Sequence, residues 1–160
     1  RGYTLRSLPN TEYKGRPPKF PLPPYVIRDF DKESQEWVED TAGSESWNDR
    51  EAELWKQLWR LPQARAWKQP QLRYLHYQIA SYVRECVICE SSLAKAADVA
   101  IKIRLEDRIG LSEAGLQALG WKISEDNVDM AAHEVPATDA EAAESGMDTK
   151  IVQFPRRLRA

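Results

Sequence analysis

The chain has 160 residues, room for one domain with long arms. Its 42% hydrophobic content can supply a core, while 30% charged residues keep much of it in water. The formal net charge of -2 says little by itself, while the lack of an apolar run of bilayer length and the presence of only two cysteines argue against a membrane-spanning helix and a disulfide scaffold.

The small net charge conceals blocks of alternating sign. Residues 1–24 carry five Lys/Arg against one acid, and residues 25–53 carry three against ten. Residues 54–123 carry eleven against six, residues 124–149 none against eight, and residues 150–160 four against none. Such alternation favours electrostatic contacts between segments, copies or partners. No apolar signal stretch opens the chain, so the expected compartment is a reducing cytoplasm.

Six of the ten prolines lie in residues 1–24. Proline fixes φ and removes a backbone donor, so this stretch should be extended. Interleaved Tyr3, Leu5, Leu8, Tyr13, Phe20 and Leu22 fit an arm lying along a surface; a disordered leader is the alternative. An acidic linker to residue 45 follows, with a short helix near Lys32–Glu39 and a break at Gly43-Ser44. A first firm helix is expected from Ser46, with Trp47, Leu54, Trp55, Leu58 and Trp59 forming an apolar stripe. Pro62 interrupts it, residues 64–68 continue briefly, and Pro70 breaks it again. A long helix should begin near Gln71, with Leu72, Leu75, Ile79, Val83 and Val87 on one face. A turn at Ser91-Ser92 leads to a helix bearing Leu93, Ile101 and Leu105. Gly110 suits a left-handed cap and Ser112 an N-cap for a short helix to about Leu119. The fold class is therefore mainly α. A helical-hairpin core over residues 46–123 carries an extended arm, a flexible acidic spacer over residues 124–149 and a basic, apolar tail over residues 150–160.

Little of this suits catalysis. Cys86-x-x-Cys89 lies inside a helix and lacks the four ligands of a structural zinc site, so both read as core or surface cysteines. His76, next to the apolar face and between tyrosines, reads as packing or solvent-facing rather than catalytic. There is no glycine-rich phosphate loop, and no cofactor, metal or catalytic residue is expected. The remaining lead is positive charge. Arg60, Arg65, Lys68 and Arg73 cluster around the two prolines, and Lys102, Arg104 and Arg108 lie on the later helix. These seven are candidate phosphate contacts, the gain coming from counterion release. The wide apolar faces of the helices point to self-association, with Trp55, Leu58, Trp59, Leu75, Ile79, Ile101 and Leu105 as the candidate interface. Ile151, Val152, Phe154, Pro155, Arg156 and Arg157 form a compact segment suited to docking on a partner; folding back on the chain's own acidic tract is the alternative.

Two stretches resemble a known family. Residues 53–67 (ELWKQLWRLPQARAW) are similar to the tryptophan-rich helix of small terminase subunits of tailed phages, especially those of actinobacterial hosts. Residues 104–123 (RLEDRIGLSEAGLQALGWKI) resemble that family's second helix, its Gly-Leu-Ser turn and its closing tryptophan segment. The resemblance spans roughly residues 1–123. It implies a non-enzymatic subunit acting in an infected host's cytoplasm. Such subunits form a homo-oligomeric ring, recognise double-stranded viral DNA and recruit the large terminase ATPase/nuclease, commonly through a C-terminal segment. Where relatives often carry arginine before the closing tryptophan, this chain has neutral Ala118-Leu119-Gly120. The alternative is a helical protein-binding adaptor or transcriptional regulator with no role in packaging.

Overall fold

A computed structural model of the chain describes residues 4–125. Nearly all of the expected acidic spacer, and the docking segment with Ile151, Val152, Phe154, Pro155, Arg156 and Arg157, lie outside the described residues. Helices occupy about half of what is described, so the chain is mainly α.

It is not an all-helical block, however. Strand β1 (Arg6–Leu8) pairs in parallel with β4 (Trp121–Ile123), Arg6 opposite Trp121 and Leu8 opposite Ile123. Gly120, at φ +74°, turns the chain out of the last helix into this strand. The Arg6 amide then donates to the Gly120 carbonyl at 2.7 Å, and the Ser124 amide to that of Leu8 at 2.9 Å. Leu8 and Trp121 are both buried in the result.

The helix expected near Lys32–Glu39 is instead an antiparallel hairpin of β2 (Arg28–Asp31) and β3 (Glu36–Glu39). The Asp31 carboxylate accepts from the Glu33 amide at 3.0 Å and the Ser34 hydroxyl at 2.7 Å, closing the turn locally. Helix α1 (Thr41–Leu58) starts before Ser46, because Asp40 rather than Ser46 caps it by accepting from the Gly43 amide at 3.0 Å. Gly43-Ser44 is thus helix, not a break. The Ser44 hydroxyl accepts from the Ile27 amide instead.

After α1 come a short α2 (Ala64–Trp67) and a single 3-10 turn at Pro70–Leu72. Gln69 is extended ahead of Pro70, as the proline ring demands, and the chain makes only a 3-10 turn there, so that α3 (Leu75–Glu90) begins later than Gln71. It ends at Ser91, where a turn was expected. Helix α4 (Ala96–Ile109) follows, leaving Leu93 outside it, with Asp98 accepting from the Lys95 amide at 2.8 Å. Gly110, at φ +80°, caps α4, and the Ser112 hydroxyl caps α5 (Glu113–Ala118) through the Gly115 amide. A Cβ on Gly115 would collide with the Asp107 carbonyl oxygen, so only glycine lets α5 pack this closely on α4.

Tryptophans dominate the core. Trp59 meets Trp55, Trp67 and His76 edge-on, with centroids 5.4, 5.7 and 5.0 Å away. Burying a large apolar side chain is worth up to about 3 kcal/mol, so this cluster is the principal anchor of α1, α2 and α3. The proline-rich stretch lies along it. The Trp55 indole N–H donates to the Pro18 carbonyl at 2.8 Å, Phe20 meets Trp55 edge-on, and Tyr25 stacks on Trp47 at 4.3 Å. The Tyr13 amide donates to the Arg60 carbonyl at 2.8 Å.

Candidate interaction surfaces

The chain's own core takes up most of the apolar residues that the sequence assigns to an oligomer interface. Trp55, Trp59, Leu75 and Ile79 are buried within the protomer, and Leu58 packs partly buried against them. They cannot face a neighbour. The reason is the proline-rich stretch and the β1–β4 pair, which close over the tryptophan helix from outside the helical hairpin. Leu105 is half-buried, and only Ile101 is well exposed, at 42%.

Exposed apolar surface lies elsewhere. Helix α4 has fourteen residues and fully buries one, Ile109. Val99 and Ile103, a helical turn apart, are 46% and 54% exposed. Ile101 lies on another flank, and Leu93 stands exposed just before the helix. On α3 and the turn before it, Tyr77 and Tyr74 are also exposed. The signal was present in the sequence: Val99, Ile101, Ile103 and Leu105 cannot all share one side of a helix, so α4 is apolar nearly all round. A second exposed group, Phe30, Trp37 and Val38, sits on the β2–β3 hairpin.

The seven candidate phosphate contacts divide by environment. Arg65 sends its guanidinium to the Thr11 carbonyl and hydroxyl, both at 2.7 Å, and to the Glu12 carbonyl at 3.2 Å, while lying over the Tyr13 ring. Lys68 donates to the Arg16 carbonyl at 3.0 Å. These two hold the N-terminal segment. Lys102 lies 3.9 Å from Glu106. Arg60, Arg73, Arg104 and Arg108 are exposed and have no ion pair among the described residues.

Arg60 shares a groove of about 700 Å³ with Lys14, Arg16 and Lys56, against a single acid, Glu12. Three of these four cations escaped the sequence grouping. Lys14 and Arg16 come from the N-terminal segment and meet α1 only through the fold, and Lys56 sits one turn before Arg60.

The nucleophile candidates are occupied or quiet. Burial pushes the Cys86 thiol above its ordinary range, which disfavours the reactive thiolate. Tyr82 donates to Glu106 at 3.0 Å, and its hydroxyl is likewise raised, chiefly by burial and then by Cys86. His76 Nε2 lies 2.9 Å from the Trp67 carbonyl oxygen, in a packing position. Among the described residues, no three His, Cys, Asp or Glu side chains group to hold a metal ion, and no helix is long and apolar enough to cross a membrane. Comparison with protein-family models, with curated proteins and with solved structures finds no match to the chain.

Proposed function

We propose that the chain is a ring-forming adaptor of the small-terminase kind, a non-enzymatic subunit that binds double-stranded viral DNA and recruits or regulates the large packaging ATPase/nuclease. The observation that carries this reading is α4. It is a helix of ordinary length with three exposed branched aliphatic side chains and one buried residue, an arrangement that a lone soluble protomer would rarely keep. A second copy is the simplest cover for it. The groove of Lys14, Arg16, Lys56 and Arg60 supports the nucleic-acid part, since weak phosphate contacts repeated around a ring sum.

Imaging of the pure protein, with retention of double-stranded DNA measured across a salt series, tests this. Closed rings and DNA binding that weakens steeply with salt are expected. Monomers or dimers that ignore DNA at low salt would instead favour a helical protein-binding adaptor. Removing residues 150–160 should abolish recruitment of the large subunit while leaving the oligomer whole; loss of assembly would refute the docking role of that segment.

A further inference from the structure

Residues 4–27 are held as a bound peptide would be. Among the described residues, every hydrogen bond they make goes to residue 40 or beyond, and none joins them to one another or to the β2–β3 hairpin. Strand β1 takes its ladder from β4, Pro18 and Pro23 accept from Trp55 and Arg84, Tyr25 exchanges two bonds with Asn48, and the Ile27 amide donates to Ser44. The apolar contacts run the same way. Leu8 is 2% exposed within the core, and Tyr13, Phe20 and Leu22 pack against that core. Receptor and ligand are thus parts of one chain, joined through residues 28–39.

That joint is weakly built. Its two strands of four residues pair with no third strand among the described residues, and a lone two-stranded hairpin is marginal in water. Both strands are exposed apart from Asp31, and Trp37 is 67% exposed, so opening the hairpin uncovers little. Extended, its twelve residues reach about 40 Å. That is further than α1, whose eighteen residues span about 27 Å. The exposed surface of α4 is also small for the task given to it. Leu93, Val99, Ile101 and Ile103 are spread around the helix and its entry, whereas a stable contact engages about 20–30 residues a side. Residues 4–27 make a contact of that size, with a surface already shaped to receive it.

We propose that in the oligomer residues 4–27 of each copy leave their own body and dock on the tryptophan helix of a second copy, with residues 28–39 opened as the hinge. The exchange keeps every contact described above and breaks only the hairpin, which makes swapping of a segment a low-cost route to assembly. Once α4 holds two copies together, the second copy's site is about as concentrated as the chain's own, so docking across copies carries no large penalty. A neighbour's helices still cannot reach the tryptophan face, because the neighbour supplies only its cover. The cationic groove becomes a shared one, with Lys14 and Arg16 from one copy and Lys56 and Arg60 from the other. This inference rests on the self-assembly reading above and names the segment that links the copies.

Ser7 and Lys122 are exposed register partners in β1 and β4. Neighbouring strands lie about 4.8 Å apart, within the span that a disulfide bridges. The test uses the full chain carrying Ser7→Cys and Lys122→Cys, with Cys86→Ala and Cys89→Ala to remove the native thiols, oxidised mildly after assembly. Disulfides between chains are expected, giving a ladder of covalent multimers. A product that stops at two chains upholds the exchange but makes it reciprocal, against the ring. An oligomer whose disulfides close only within single chains overturns the exchange and leaves self-assembly intact. A parent chain that stays monomeric overturns both. Arg65→Ala needs no disulfide and checks the same point. It removes the bonds to Thr11 and Glu12, and should weaken assembly about tenfold with helical circular dichroism retained. Unaltered assembly would refute the proposal.

Discussion

Arg84 on α3 reaches Glu51 on α1 with both ends of its fork, Nε 2.7 Å from Oε1 and Nη2 3.0 Å from Oε2. Glu51 is 2% exposed and also accepts from the Trp47 indole. The same guanidinium donates to the Pro23 carbonyl and lies over Tyr25. One side chain thus ties α3, α1 and the N-terminal segment together. Arg84→Ala would leave a buried carboxylate without its counter-charge, at a cost of roughly 3 kcal/mol. Adding Glu51→Gln should recover part of that loss. Urea unfolding of the two variants checks this; a cost under about 1 kcal/mol for Arg84→Ala would show that the pair is not a principal tie.

Trp55→Phe keeps most of the buried ring but removes the bond to the Pro18 carbonyl. The expected loss is about 1 kcal/mol. It should fall on docking of the N-terminal segment rather than on the helices. Trypsin cleavage after Lys14 and Lys19 should quicken about fivefold, with the helical circular dichroism unchanged. Equal cleavage rates would mean that the segment is held by other contacts.

Acid should loosen the hairpin before the helices. The Ser34 hydroxyl, then the Glu33 amide, hold the Asp31 carboxyl below its ordinary value of 3.8. A group depressed in the folded state contributes stability above its unfolded pKa and loses it as pH falls through the folded one. Hairpin protection should thus be intact at pH 5 and decline below 3.8. Hydrogen exchange of the residue 28–39 amides measures it, corrected for intrinsic rates. Asp31→Ala should show the loosened hairpin already at pH 5.

Replacing Lys14, Arg16, Lys56 and Arg60 together by glutamine should lower the salt dependence of DNA binding by roughly 0.9 in log–log slope for each phosphate no longer neutralised. Arg73→Gln, which does not line the groove, should change it little. An unchanged slope in the fourfold variant would move the phosphate-binding surface elsewhere.

What could be read from the residues was local. Ser91 ending α3, Gly110 in the left-handed region and Ser112 capping α5 each depend on one side chain or one φ, and each stands where expected. What could not be read depends on residues distant in sequence. Arg65 and Lys68 look like free cations until the carbonyls of Thr11, Glu12 and Arg16 are brought to them. The tryptophan face looks too wide for one protomer until the proline-rich stretch lies over it. Prolines lack an amide donor but keep their carbonyls, and Pro18 and Pro23 use theirs to accept from Trp55 and Arg84. The hairpin escaped notice because its acidic run suggests a linker with a short helix near Lys32–Glu39, whereas Phe30 opposite Trp37 and the Asp31 turn decide the structure.

Self-assembly through exposed apolar surface is the central claim, and native mass measurement of the pure chain across a concentration series tests it most directly. The predicted result is one closed oligomer persisting to low micromolar concentration, shifted towards free protomer by Ile103→Lys with helical content retained. A chain that remains monomeric at high micromolar concentration, with Ile103→Lys indistinguishable from the parent, would contradict it.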